Sequence, residues 1–222
     1  LELFHILEKL CYTGKESEGK QKISEVNMGD TAVTDSYRVL LSGGEGEIVE
    51  KKSRFIATIR KCETEEEAVA FIEEMKKKYW DARHNCSAFI IGSRGELTRC
   101  SDDGEPSGTA GRPMLEVLTG SGIRNIAVVV TRYFGGTLLG TGGLVRAYAQ
   151  AVKEGLAHCE TGIMRKGCEL EVAADYNDVG KLQYYFGQQG IVPTDSIYAE
   201  NVKFILLIPV EKEEKVRKNL TE

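Results

Sequence analysis

The chain has 222 residues, 41% of them hydrophobic and 28% charged, which is the composition of a folded globular protein with room for one large domain or two small ones. A formal net charge of -5 excludes a surface that is basic throughout, so any contact with a polyanion has to be local. No apolar run approaches the roughly 18 residues that span a bilayer, and the start lacks a charged-then-apolar leader with a small-residue cleavage site, so the chain reads as cytoplasmic with no membrane partner.

Residues 1–42 read as a peripheral extension. "LELFHILEKLCY" fits a short amphipathic helix with Leu3, Ile6, Leu7 and Leu10 on one face, and the polar stretch behind it is weakly patterned; Met28 offers an alternative start. From Gly43 the signal sharpens. "GEGEIVEKKSRFIATIRKC" reads as two strands, the second alternating Phe55, Ala57 and Ile59 against Arg54, Thr58 and Arg60. "TEEEAVAFIEEMKKKYW" follows as a helix: Thr64 and Glu67 form a capping box, and Ala68, Phe71, Ile72, Met75 and Tyr79 fall on one stripe. "CSAFIIG" and "ELTRC" are strands that lead into the loop "SDDGEPSGTAGRP", and Pro113 suits the first turn of the helix "PMLEVLTG". "NIAVVVTRYF" is a continuous apolar run of the kind buried on both faces of a sheet. A glycine-rich stretch feeds the helix "GLVRAYAQAVKEGLAHC", with Leu144, Tyr148, Val152 and Leu156 near one face. One layered domain over 43–162 results, and a second over 163–222 follows in the order strand, helix, strand, strand, helix, with Asn177 capping its first helix and Gly190 stopping it. That order is ferredoxin-like and lacks only a last strand.

Three clusters hold candidate chemistry. In "RYFGGTLLGTGGLVRAY", Gly135, Gly136, Gly140, Gly142 and Gly143 lie between strand and helix, flanked by Arg132 and Arg146. Glycines there let backbone N–H groups converge on an anion at a helix N-terminus, and the two guanidinium forks suit phosphate. The same glycines serve equally well for tight packing of loop on sheet, with the arginines paired to local carboxylates. Neither the P-loop nor the dinucleotide template is met. In the acidic loop, Asp102, Asp103 and Glu105 can hold a hard cation such as magnesium or act as an acid and base pair; turn chemistry is the other reading and the favoured one. Cys86 two residues after His84 suggests a dyad, but alternation at a strand entrance places the thiol in the core. Cys11, Cys62, Cys86, Cys100, Cys159 and Cys168 lack the paired spacing of a structural zinc site, and His5, His84 and His158 are dispersed.

The run from Gly111 through "RPMLEVLTGSGIRNIAVVVTRYFGGTLLG" to Gly140, with "SDDGEPSGTAGRP" before it and "GGLVRAY" after it, closely resembles the IMPACT/YigZ family, and residues 165–222 look like the smaller carboxy-terminal domain of its bacterial members. The resemblance implies an α+β protein: an amino-terminal β-α domain with the fold shared by domain IV of elongation factor G and RNase PH, and a ferredoxin-like carboxy-terminal domain. His84, Asp102, Asp103, Glu105, Arg112, Arg132, Tyr133, Gly135, Gly136 and Arg146 stand at family motif positions without an assigned role. Eukaryotic relatives are regulators of translation that compete with an amino-acid-starvation kinase for its activator protein. For this chain the resemblance implies a binding protein for RNA, the ribosome or a translation factor, with no catalytic residue and no cofactor assigned; as side chains, Arg132, Tyr133 and Phe134 can stack a base or grip a phosphate where the loop is open. A metal-assisted phosphoryl transferase or hydrolase at the acidic loop, and a protein adaptor, are the rival readings.

Overall fold

The computed structural model describes residues 2–15 and 36–221, and the chain divides into two units, one built mainly from Tyr37–Ile163 and the other from the residues beyond, joined by the strand at the start of the chain. That first strand, β1 (Glu2–Lys15), replaces the amphipathic helix expected there and pairs with Glu160–Ala174, the strand numbered β9 below. Strand pairing supplies backbone partners that a short isolated helix in water does not, so tertiary context overrides the 3.6-residue pattern.

In the first unit, β2 (Ser36–Ser42) carries buried Val39 and Leu40, so the end of the expected extension is core; its three apolar residues are too few to stand out beside polar flanks. It pairs in parallel with a strand the sequence did not reveal, β7 (Ile123–Arg124). The main sheet has the order β3 (Gly44–Glu50), β4 (Ser53–Lys61), β8 (Ile126–Tyr133), β5 (His84–Ile91), β6 (Leu97–Ser101), with every neighbour antiparallel. Helix α1 (Glu65–Lys78) begins where the Glu67 N–H donates to Thr64 Oγ1 at 3.2 Å and Glu67 Oε2 accepts from the Glu63 N–H at 2.7 Å, a capping box whose return arm lands one residue early. Its Ala68, Phe71 and Met75 cover Phe89, Ile91, Ala127 and Val129 on one sheet face. The other face, with Phe55, Ala57, Cys86, Ala88, Val128 and Val130, packs against α2 (Gly111–Ser121) and α3 (Thr141–Ala157) through Met114, Leu118, Tyr148 and Val152. β8 is thus buried on both faces, as its unbroken apolar run requires. Helix α3 lies so close to edge strand β3 that a Cβ on Gly46 would stand 2.5 Å from the Gly155 backbone nitrogen. The turn between β3 and β4 is only Lys51 and Lys52, both at positive φ (46° and 66°), a two-residue type I′ hairpin.

The second unit follows the expected order: β9, α4 (Val179–Gln189), β10 (Pro193–Tyr198), β11 (Val202–Pro209) and α5 (Glu213–Thr221). β9 begins earlier than its alternation suggested, because "ETGIMRKG" is polar, and residues 162 and 163 lie within it. Asp178 rather than Asn177 is the N-cap of α4, and Gly190 ends that helix at φ 64°. The sheet runs β10-β11-β9-β2-β7, and β1 also pairs with β9. Leu170, Val172, Phe204 and Leu206 pack beneath Leu182, Phe186, Val216 and Leu220. No helix among the described residues is long and apolar enough to cross a membrane.

Candidate functional site

The acidic loop joins β6 to α2, and its carboxylates are committed to holding it there. Asp102 accepts from the backbone N–H groups of Gly108 (2.8 Å), Ala110 (3.0 Å) and Gly111 (2.8 Å), capping α2 from a distance because Ala110 has no side-chain oxygen of its own. Burial alone would raise this carboxyl, but the three N–H bonds outweigh it and hold the acid below its ordinary range. Asp103 accepts from the Asn85 N–H at 2.7 Å and stands 3.8 Å from Lys76 Nζ. Its carbonyl oxygen lies 2.9 Å from His84 Nδ1, which places the imidazole proton on that nitrogen.

Glu105 is buried and receives Arg132 Nη1 at 2.5 Å and the Tyr148 hydroxyl at 2.8 Å. Arg132 is only 7% exposed, between the rings of Phe55 and Phe134 (5.4 and 5.7 Å to the centroids), so it is not the open phosphate fork expected from its position before the glycines. The reason is topological: Arg132 points to the helix-covered face of β8, where Glu105 is its neutralising partner. Cys86 donates to the Asp102 carbonyl oxygen (3.0 Å) and approaches the Tyr148 oxygen (3.3 Å); burial pushes its thiol up to about 12 and leaves it protonated and inert as a nucleophile. Burial also raises the Tyr148 phenol, so it stays a donor to Glu105. The sequence reading missed Tyr148, Asn85 and Thr131, the last of which donates to Asn85 Oδ1 at 2.7 Å. The available signal was a tyrosine in the apolar stripe of α3, because a buried phenol requires an acceptor. Among the described residues, no group of three His, Cys, Asp or Glu side chains is placed to hold a metal ion.

The glycine loop divides by role. Gly135 is a packing glycine: its N–H donates to Ser53 Oγ at 3.1 Å, and a Cβ there would stand 2.0 Å from the Lys52 carbonyl carbon. Gly136 and Gly140 have positive φ (84° and 71°) and open space where a side chain would be. Gly140 caps α3 with its carbonyl, and Gly142 and Gly143 form the first turn. Arg146, exposed one turn in, lines a surface cleft of about 400 Å³ between α3 and β3 with Gly143, Gln150, Lys153, Ile48 and Glu50. Among the described residues, Arg146 and Lys153 form no ion pair. Phe134 and Leu138 in the glycine loop are 56% and 83% exposed. The Tyr133 hydroxyl donates to Asp81 at 2.8 Å, and Arg112 pairs with Glu116 along α2 and does not line the cleft. The structure therefore brings Gly142, Gly143 and Arg146 together and leaves Arg112 and Arg132 elsewhere.

The family model for the Impact N-terminal domain matches residues 51–156, and that for a domain of unknown function, DUF1949, matches residues 172–222. The chain is 46% identical over 172 residues to the IMPACT family member YvyE of Bacillus subtilis, covering 76% of this chain and 78% of that one. The chain belongs to the IMPACT family. The IMPACT family member YigZ of Escherichia coli is 39% identical over 164 residues, covering 73% of this chain and 80% of its own. A solved structure titled only as a hypothetical protein matches with a TM-score of 0.59 at 35% identity, over 85% of this chain and 92% of that chain. The IMPACT homologue of Dictyostelium discoideum is 36% identical over 97 residues, 42% of this chain and 28% of that longer protein. The acidic loop, the Arg132 network, the glycine loop and the α3 side of the cleft lie inside the Impact N-terminal match, and the β3 residues Ile48 and Glu50 of the cleft precede it.

Proposed function

We propose that this IMPACT-family protein is a cytoplasmic, translation-linked binding protein whose first unit contacts RNA, free or in the ribosome, at the glycine loop and the start of α3. The observation that carries the reading is the cleft at α3: Arg146 and Lys153, two exposed cations without a carboxylate bound to them among the described residues, line it together, Arg146 near the amino end of the helix and Lys153 two turns further along, and the loop that leads into the helix carries an exposed Phe134. Helix-end amides and unpaired cations favour phosphate, and an exposed ring offers a base a stacking surface. Family membership supports the link to translation, because the eukaryotic relatives are translation regulators by the resemblance drawn above. In fold, we read the first unit as related to domain IV of elongation factor G and to RNase PH, and the second as a ferredoxin-like plait. In that plait the sheet face opposite the helices carries Asp195, Ile205, Leu207 and Lys203, the last neutralised by Glu171 at 2.6 Å, and we assign the RNA contact to the first unit. Nothing in the geometry favours phosphoryl transfer, since the carboxylates proposed for it hold backbone N–H groups or Arg132.

Fluorescence anisotropy with labelled single-stranded RNA, duplex RNA and DNA across a salt series tests the reading. The affinity is expected to fall steeply with salt, and Arg146→Ala with Lys153→Ala to weaken binding and flatten the slope by about 1.4, since each phosphate contact on a single strand contributes about 0.7. If the folded protein binds none of the probes at low salt, the reading is wrong and a protein partner takes its place.

A further inference from the structure

We infer that the Lys51–Lys52 hairpin tip and Phe134 form a grip for single-stranded nucleic acid, an inference that rests on the nucleic-acid reading above and assigns its principal contacts. The first observation is conformational. Both residues of the β3–β4 turn have positive φ, and such two-residue turns favour Asn-Gly or Gly-Gly because a Cβ crowds the backbone there. The turn therefore retains two strained lysines where a more stable pair was available, and strain held in a folded structure points to use.

The second observation is placement. Lys51 and Lys52 are exposed and form no ion pair among the described residues. The neighbouring Glu47 is occupied by Arg54 at 2.8 Å, which leaves Glu50 as the acid next in sequence to the turn and the tip net positive. Gly135 clamps the glycine loop onto this turn: its absent side chain lets the loop approach the backbone of Lys52 and Ser53, and its N–H is fixed by Ser53 Oγ. Phe134 is the residue before this clamp, so its backbone is fixed next to the hairpin tip, and buried Arg132 lies 5.7 Å from its ring centroid. A turn bearing two ammonium groups, clamped to a loop that bears an exposed ring, matches a phosphodiester backbone with an unstacked base. A duplex presents its bases stacked and paired, with no face for Phe134 to meet. On this account Arg132 is a positioning residue for the ring.

The turn permits a clean test. Lys51→Asn with Lys52→Gly removes both charges and installs the sequence that a type I′ turn prefers, so the full-length variant is expected to melt at a higher temperature than wild type while binding a labelled uridine oligomer at least tenfold more weakly. Phe134→Leu is expected to weaken the uridine and thymidine oligomers about tenfold and to leave duplex RNA unchanged, in keeping with about 1–3 kcal/mol per stacked base. If wild type binds the oligomers and Arg146→Ala with Lys153→Ala weakens them, but the hairpin and Phe134 variants do not, the grip is wrong and the broader reading stands. If wild type binds no nucleic acid, both fall. Equal weakening of duplex and single strand by Phe134→Leu, or a lower melting temperature for the hairpin variant, also overturns the inference.

Discussion

Asp102 and Arg132 show how residues that look reactive in sequence become architecture. Asp102→Ala leaves three loop and helix-end N–H groups without their acceptor and is expected to destabilise the first unit by about 1–3 kcal/mol in urea unfolding. The Asp102 carboxyl is held below its ordinary value in the folded state, so its contribution is full above the unfolded pKa of about 3.9 and is lost as pH falls through the folded value. The gap between wild type and variant should therefore close in acid; a gap that widens there would contradict the capping role. Arg132→Met leaves Glu105 buried with only the Tyr148 hydroxyl, and is expected to cost about 3–5 kcal/mol. Loss of RNA binding in that variant would report on folding or on Phe134 placement before it reported on a phosphate contact. Sequence spacing did not reveal this pair: Glu105 and Arg132 are 27 positions apart, and they meet only because the loop after β6 folds back over the end of β8.

At the level of elements, the glycine loop combines two roles that look alike in sequence. Gly135 is there for close approach and Gly136 and Gly140 for backbone conformation, while Gly142 and Gly143 open α3 beside an exposed arginine. Gly135→Ala drives a methyl group into the Lys52 backbone and is expected to cost about 1–3 kcal/mol and to shift the hairpin tip, weakening oligomer binding as well. An alanine tolerated in both stability and affinity would separate loop from hairpin. The central strands and helices were legible from periodicity, because β8 and the stripes of α1 and α3 are strongly patterned. β1, β2 and β7 were not, since each depends on a partner distant in sequence. The Lys51–Lys52 turn was also hidden: two lysines between strands carry none of the Asn-Gly chemistry that normally announces a type I′ hairpin.

Across the whole molecule, the net charge of -5 and a nucleic-acid role are compatible because charge is unevenly placed. On the open sheet face of the second unit Lys203 is neutralised by Glu171, whereas in the first unit Arg146 and Lys153 on α3 and Lys51 and Lys52 at the hairpin tip form no ion pair among the described residues. The matches to two family domains agree with the two units into which the chain divides, and the cationic residues Lys51, Lys52, Arg146 and Lys153 fall within the first match. The decisive measurement is the salt dependence of single-stranded RNA affinity for the full chain and for the Arg146→Ala, Lys153→Ala variant, with its fold verified by thermal melting. A steep wild-type slope that flattens by about 1.4 in a variant of unchanged melting temperature is the predicted result. Identical slopes and affinities for the two proteins would contradict the assignment of RNA binding to the glycine loop and α3.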